Sequence, residues 1–310
     1  MTSTETICFE MTPALISFRR QVGAANQSLH ALIVGLETLK ETEPVRPTDL
    51  IFLSWQKPAT PEQWNDARTF ALKGAMIVTI DALDHYLRVL SRIDGLVPDT
   101  LHDKLNGRRV PGDDHRPTLI ERLDALHTAF PGAKAEHLLA MNLLANWRNR
   151  FAHGDYKFAL TDKECEAIAK TAAFFRDNQG GADIQAALDR YTKSQAPTLL
   201  DLSTLIASAQ RLVRNPDATI LHRQVGPDYA VALVRYLLEN DSNPSARLEW
   251  LFEPGGDQAA GRVHALLLDH GGNHAKNRTA SAPALTRQEL NQRLGLGRND
   301  ASTLFKIPRP

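Results

Sequence analysis

Residues 133–154 read AKAEHLLAMNLLANWRNRFAHG. Leu138, Leu139, Met141, Leu143, Leu144 and Trp147 recur at helical spacing and form one apolar face. Pro131-Gly132 breaks the chain before this run, and Gly154 suits the position just past a helix C-terminus. The spacing predicts an amphipathic helix from about Ala133 to Ala152. Its last turn carries Arg148-Asn149-Arg150-Phe151-Ala152-His153, a compact set of cationic, amide and imidazole groups.

Working outward, the same periodicity returns on both sides. Thr12-Pro13 starts a helix in which Leu15, Phe18, Val22, Leu29, Leu32, Ile33, Leu36 and Leu39 share a face, until Pro44 and Pro47 end it. Thr60-Pro61-Glu62-Gln63 is a capping box that opens a long helix to about Ile93, with Trp64, Phe70, Leu72, Met76, Ile77, Ile80, Leu83, Leu87 and Leu90 apolar. Residues Val97 to Pro117 are rich in Asp, Gly, Arg and Pro and read as an exposed loop. A helix follows over about Thr118 to Phe130. Thr161-Asp162-Lys163-Glu164 is another capping box, opening a helix to about Phe175. Beyond residue 196 the pattern weakens, with helices expected at Leu199–Val213, Tyr229–Glu239 and Ala259–Leu268, and loops at Asn240–Pro244 and Gly271–Pro283. The expected fold class is all-α: an antiparallel helical bundle over 1–195 and a smaller helical module over 196–310.

Composition excludes several classes. Lys+Arg and Asp+Glu both total 36, so formal net charge is zero, and any nucleic-acid contact has to be a local patch. Aromatics make up only 6%, too few for a surface that stacks many bases. Cys8 and Cys165 are the only cysteines and form neither a metal spacing nor a disulfide framework, which fits a reducing cytoplasm. The N-terminus lacks the basic-then-apolar order of a signal peptide, and no apolar run approaches the ~20 residues that cross a bilayer. No membrane partner and no cofactor are expected.

Arginine, asparagine and histidine at the end of one helix suit RNA cleavage. RNA carries its own nucleophile, the 2′-hydroxyl beside each phosphate. An enzyme has only to remove that proton, stabilise charge on the phosphate oxygens and protonate the leaving 5′-oxygen. Histidine trades protons near neutral pH, and arginine presents a fork of donors to phosphate. Spacing complicates the picture. At 3.6 residues per turn, Arg148 and His153 point about 140° apart, whereas Asn149 and His153 share a face. Arg148 rejoins them through its long side chain, through a loosened last turn, or from a second copy of the chain.

Arg148-Asn149-x-x-x-His153 followed by Gly154, near a helix end in a helical bundle, resembles the signature of the HEPN superfamily. The resemblance covers roughly residues 10–195, and only the short motif is specific. It implies a bundle that dimerises, sets the motif at a cleft between protomers and cleaves RNA without metal, leaving a 2′,3′-cyclic phosphate. Members recur in prokaryotic toxin–antitoxin, abortive-infection and CRISPR systems, which implies an antitoxin or regulatory partner. Some keep the fold without catalysis. By that resemblance Arg148, Asn149 and His153 are the catalytic residues, with RNA as substrate.

Other readings of the same residues stay open. Arg148, Arg150 and His153 also complement the negative end of a helix dipole, worth about 0.3–1 kcal/mol each. A second Arg-x-x-x-x-His, Arg122 to His127, lacks the asparagine and glycine. Asp81, Asp84, His85 and Arg88 lie on the long second helix, where Asp81 or Asp84 can orient Arg148 or His153, or form ordinary ion pairs. Tyr156 and Lys157 extend a stacking, basic rim or belong to a solvated loop.

At the C-terminus, residues 285–306 resemble a helix-turn-helix. Thr286 and Glu289 form a capping box, Gly295 supplies the turn, and Leu290, Leu294, Leu296, Ala301 and Leu304 can share a core. The second helix then exposes Arg298, Asn299, Ser302, Thr303 and Lys306 to DNA, although Asn291 and Asp300 fit poorly. A protein-binding helical pair is the equal alternative. His264, His270 and His274 with Asp269 do not make a zinc site, because Gly271-Gly272 interrupts helical presentation and no cysteine joins them.

Overall fold

Helices carry the chain, and among the described residues the fold is all-α apart from one small three-stranded sheet. The computed structural model describes residues 6–41, 58, 60–109, 115–153, 159–274 and 282–307, the side chain of residue 153 excepted. In chain order, β1 (Thr6–Phe9) leads into α1 (Pro13–Glu41) and α2 (Pro61–Arg92). The stretch Val97–Pro117, read as a loop, in fact contains α3 (Asp99–Leu105), which is anchored by the fully buried Leu105. Next come α4 (Leu119–Ala129) and α5 (Ala135–His153), the helix of the motif.

The single helix expected after Thr161 is two, α6 (Asp162–Ala169) and α7 (Ala172–Asn178). Thr171 interrupts it by turning both its N–H (3.0 Å) and its hydroxyl (2.6 Å) onto Ile168 O, a competition typical of threonine. Then follow α8 (Ile184–Thr192), α9 (Leu199–His222), α10 (Gly226–Glu239), α11 (Pro244–Phe252) and α12 (Gly256–Asp269). The chain ends in β2 (Gly272–His274), β3 (Ala284–Thr286), α13 (Arg287–Leu294) and α14 (Arg298–Phe305). Both α4 and α6 start with complete capping boxes, Thr118 with Glu121 and Thr161 with Glu164.

The helices gather into two compact units that interleave in sequence. One comprises Met1–Ser17, Asp84–Ala133 and Val213–Pro310; the other comprises Phe18–Leu83 and Lys134–Leu212. The domain boundary expected at 195/196 falls inside the second of these.

The first unit is organised by its sheet. β1 lies between β2 and β3, antiparallel to both, with Ile7 opposite His274 and Leu285, and Cys8 opposite Asn273 and Ala284. Ile7, Cys8 and Phe9 are buried, and the Phe9 ring meets Tyr229 edge-on at 4.8 Å. Gly226 allows α10 to lie against β3, since a Cβ there would come within 1.9 Å of Ala284 O. The start of α1 is held by a buried carboxyl. Thr12 donates its N–H to Asp217 Oδ2 at 3.0 Å and its hydroxyl to Oδ1, while its Oγ1 accepts from Leu15 N at 3.2 Å. Burial pushes the Asp217 carboxyl up to about 7, against the bonds from Thr12 and Tyr86, which favour the charged form. Asp217 follows Pro216 inside α9, and Tyr86 Oη donates to Val213 O at 3.3 Å in the turn preceding the proline.

The second unit is a helical bundle around Phe18, Val22 and Leu29 of α1, Leu72, Met76 and Leu83 of α2, Leu144 and Trp147 of α5, and Leu205 and Leu212 of α9. His137 joins that core edge-on to Phe174 at 5.3 Å, while Leu138 and Leu139, expected to face inward, are only half-buried. Phe70 and Ile77 also depart from expectation. They lie on the surface of α2, 78% and 37% exposed. No helix among the described residues is long and apolar enough to cross a membrane.

Candidate functional site

The motif helix is docked by two of its own residues. Trp147 is fully buried, donates Nε1–H to Gln195 O at 3.1 Å and meets the Tyr191 ring edge-on at 6.0 Å. Arg150 lies over the same anchor, its guanidinium 4.0 Å from the Tyr191 ring and Nη1 donating to Tyr191 O. Tyr191 in turn accepts Leu160 N–H on its hydroxyl at 3.2 Å. Arg150 is therefore a fastening for the helix end.

Arg148, two positions earlier, is held differently. Its Nη1 donates to Asn149 Oδ1 at 3.1 Å, and its Nη2 lies 3.7 Å from Asp81 Oδ1 on α2. Its Nε is buried and has no partner among the described residues. One of the fork's edges is thus unspent, and the Asp81 carboxylate opposite is 61% exposed. Structure and sequence agree on Asp81 as a neighbour of Arg148. Asp84, the other carboxylate considered, is instead occupied by Arg88 at 2.8 Å and by Arg122. His85 is exposed, and partial desolvation together with the nearby Arg92 lowers its pKa.

His153 closes α5 as its last helical residue, but its side chain, together with Gly154, Tyr156 and Lys157, lies outside the described residues. Asn149 is half-buried beside Arg148. An apolar stripe runs up to this point along α2: Phe70, Ile77 and Val78 are exposed, and Asp81 follows one turn later. Lys73, on the same helix, lies 4.6 Å over the ring of Phe151 from the motif.

The second Arg-x-x-x-x-His has another purpose. Arg122 is nearly buried; its Nε donates to Leu105 O at 2.9 Å, Nη2 reaches the same carbonyl, and Nη1 bonds Asp84. Every edge of that guanidinium is used in joining α4 to α3 and α2.

The C-terminal pair forms as two helices, and the capping box is complete, with Glu289 N donating to Thr286 Oγ1 at 3.2 Å and Thr286 N to Glu289 Oε2 at 2.8 Å. Gly295 does not adopt a left-handed backbone; its φ is −77°, and its need for glycine is steric, because a Cβ would approach Asn291 O to 2.4 Å. Leu290, Leu294 and Ala301 are buried as expected, with Phe305 filling the place expected for Leu304 and packing on Phe252 at 5.7 Å. Arg298 pairs with Glu249 at 2.9 Å, and Asp300 is exposed. Asn291 donates to Asp257. In the same unit the His264 and His274 rings lie 5.8 Å apart, and His270 Nδ1 is 2.8 Å from Leu266 O.

Comparison of the chain with protein-family models, curated proteins and solved structures gives no match.

Proposed function

We propose that the protein is a metal-independent endoribonuclease of the HEPN type, working as a homodimer in a toxin or antiphage-defence role. The carrying observation is the state of Arg148. Arg122 and Arg150 are committed to carbonyls, a carboxylate or a ring, whereas Arg148 keeps a sheltered Nε–H without an acceptor and a loose contact with an exposed carboxylate. A guanidinium whose Nη2 has only that loose contact suits a phosphate oxygen, which accepts a charge-assisted N–H bond.

In the proposed reaction the 2′-oxygen forms a bond to phosphorus and its proton passes to a His153 imidazole. The bond from phosphorus to the 5′-oxygen breaks, and that oxygen takes a proton from an imidazolium. Products are a 2′,3′-cyclic phosphate and a 5′-hydroxyl, with no metal in the scheme. Arg148 neutralises the equatorial oxygens as charge builds on them, and Asn149 orients the guanidinium through its Oδ1. A dimer answers the spacing problem, since a second copy supplies the group that one helix aims away from the phosphate. Phe70 and, two turns on, Ile77 and Val78 expose apolar side chains on α2, which supports such pairing, because exposed apolar surface marks association sites.

The test is cleavage of labelled RNA in EDTA. Activity lost in His153→Ala and Arg148→Ala, with unchanged melting, supports the reading; undiminished cleavage by either variant overturns it.

A further inference from the structure

Trp250 on α11 is 48% exposed, and two guanidiniums lie over its indole. Arg247, one turn earlier on the same helix, is 4.7 Å from the ring centroid, and Arg262 of α12 is 5.2 Å from it. Arg262 is fixed in place because it donates Nη1–H to Trp250 O, one of the last-turn carbonyls that α11 leaves without a helical donor. No ion pair of Arg262 occurs among the described residues. Arg247 has only a distant carboxylate, Asp241 at 3.9 Å, and the intervening Glu249 is taken up by Arg298 at 2.9 Å. An aromatic surface and two oriented forks are thus assembled in the first unit before any ligand arrives.

We propose that this Arg247–Trp250–Arg262 platform binds single-stranded RNA, the guanidiniums taking backbone phosphates and the indole a base. Charge complementarity selects the occupant. A purely apolar protein surface would bury two cations without counter-charge, at high cost. A nucleic-acid duplex keeps its bases stacked inside, whereas a single strand offers base faces beside phosphates. With formal net charge zero over the chain, a local patch of this kind is the form that affinity for RNA has to take. The choice of RNA over single-stranded DNA rests on the nuclease reading, while the platform itself does not involve Arg148 or His153. It also relocates the nucleic-acid surface of this unit from α14, where Arg298 is already paired, to α11 and α12.

Fluorescence anisotropy of a fluorescein-labelled oligouridylate, measured in His153→Ala protein so that RNA is not consumed, tests this. Trp250→Ala is expected to weaken binding roughly ten-fold, with most of the affinity kept in Trp250→Phe. Arg247→Gln should reduce the slope of log affinity against log salt by about 0.7, one phosphate contact on a single strand. The proposal is overturned if the parent protein does not bind, if Trp250→Ala binds equally well, if Trp250→Phe is as defective as alanine, or if polyglutamate competes as effectively as oligouridylate. Circular dichroism melting confirms that each variant is folded. A protein that shows this binding pattern yet never cleaves RNA keeps the platform and loses the nuclease reading. Cleavage with Trp250-independent affinity does the reverse.

Discussion

Arg148 Nη2 and Asp81 Oδ1 lie 3.7 Å apart across α5 and α2, and the carboxylate is the more exposed partner. Such a pair is worth about 0–1 kcal/mol of stability, so it tethers the guanidinium without locking it. Asp81→Asn is therefore expected to leave the melting temperature nearly unchanged. Because the carboxylate competes with phosphate for the same fork, the variant should show a KM for RNA lowered about two- to five-fold at low salt, an effect that salt screens. A large fall in kcat instead would show that Asp81 positions Arg148.

Arg148→Lys keeps the charge and removes the fork. If the guanidinium grips two phosphate oxygens, lysine should restore little of the roughly 100- to 1000-fold loss that removing one transition-state donor typically causes. Steady-state cleavage of a short labelled RNA, with Arg148→Ala beside it, provides the comparison.

Arg122→Ala removes a structural ion from the interior and leaves the Leu105 carbonyl and Asp84 without it. Breaking a buried pair in this way costs about 3–5 kcal/mol. Urea denaturation should show that loss as a lower midpoint with an unaltered slope. A midpoint within error of the parent would mean that the guanidinium is not the joint between α3, α4 and α2.

The exposed face of α2 makes a prediction about assembly. Phe70→Asp with Ile77→Asp changes two surface residues and should not disturb the core. Sedimentation velocity is expected to show dimer in the parent and monomer in the double variant, with cleavage lost alongside. Cleavage at the parental rate by a monomer would remove the dimer from the scheme.

Asp217 sets a pH dependence of stability. Its carboxyl titrates near 7 in the fold and near the ordinary 3.8 when unfolded, so between those values the folded chain holds the extra proton. Its contribution therefore falls as pH rises from about 4 to 7, by at most about 1.4 kcal/mol per pH unit. Asp217→Asn lacks that slope. The difference in unfolding free energy, variant minus parent, should climb across the window, and a flat difference would contradict the assignment.

The helices were legible wherever the signal is local. Thr161 with Glu164 and Thr286 with Glu289 name their own helix starts, because each bond of a capping box spans only three residues. The helix expected over Leu199–Val213 is longer in the fold, where α9 runs to His222 through Pro216. Proline costs a helix one bond, and packing of Leu212, Val213, Ile220 and Leu221 outweighs it. Short helices such as α8 and α11 carry too few turns for periodicity to register. β1 is invisible for another reason: four residues have no pattern of their own, and the strands they pair with are far away in sequence. At the candidate site, the motif arginine and its neighbour Asp81 could be found from spacing on two helices. What spacing could not show is that Arg150 and Arg122 are already spent. That distinction exists only once carbonyls from other helices arrive.

The pairing of residues 6–9 with residues 272–274 and 284–286 also sets a timetable. A ribosome adds about 5–20 residues per second, so the first strand emerges on the order of tens of seconds before either neighbour exists. Until then the N-terminal segment has no sheet to join, and the carboxyl that anchors the start of α1 comes from Asp217, itself synthesised late. Contacts of such long sequence separation close slowly, after the entropy of a large loop has been spent. The nascent chain therefore completes this sheet only once Thr286 has been added, and a fragment released before that residue lacks the means to finish it.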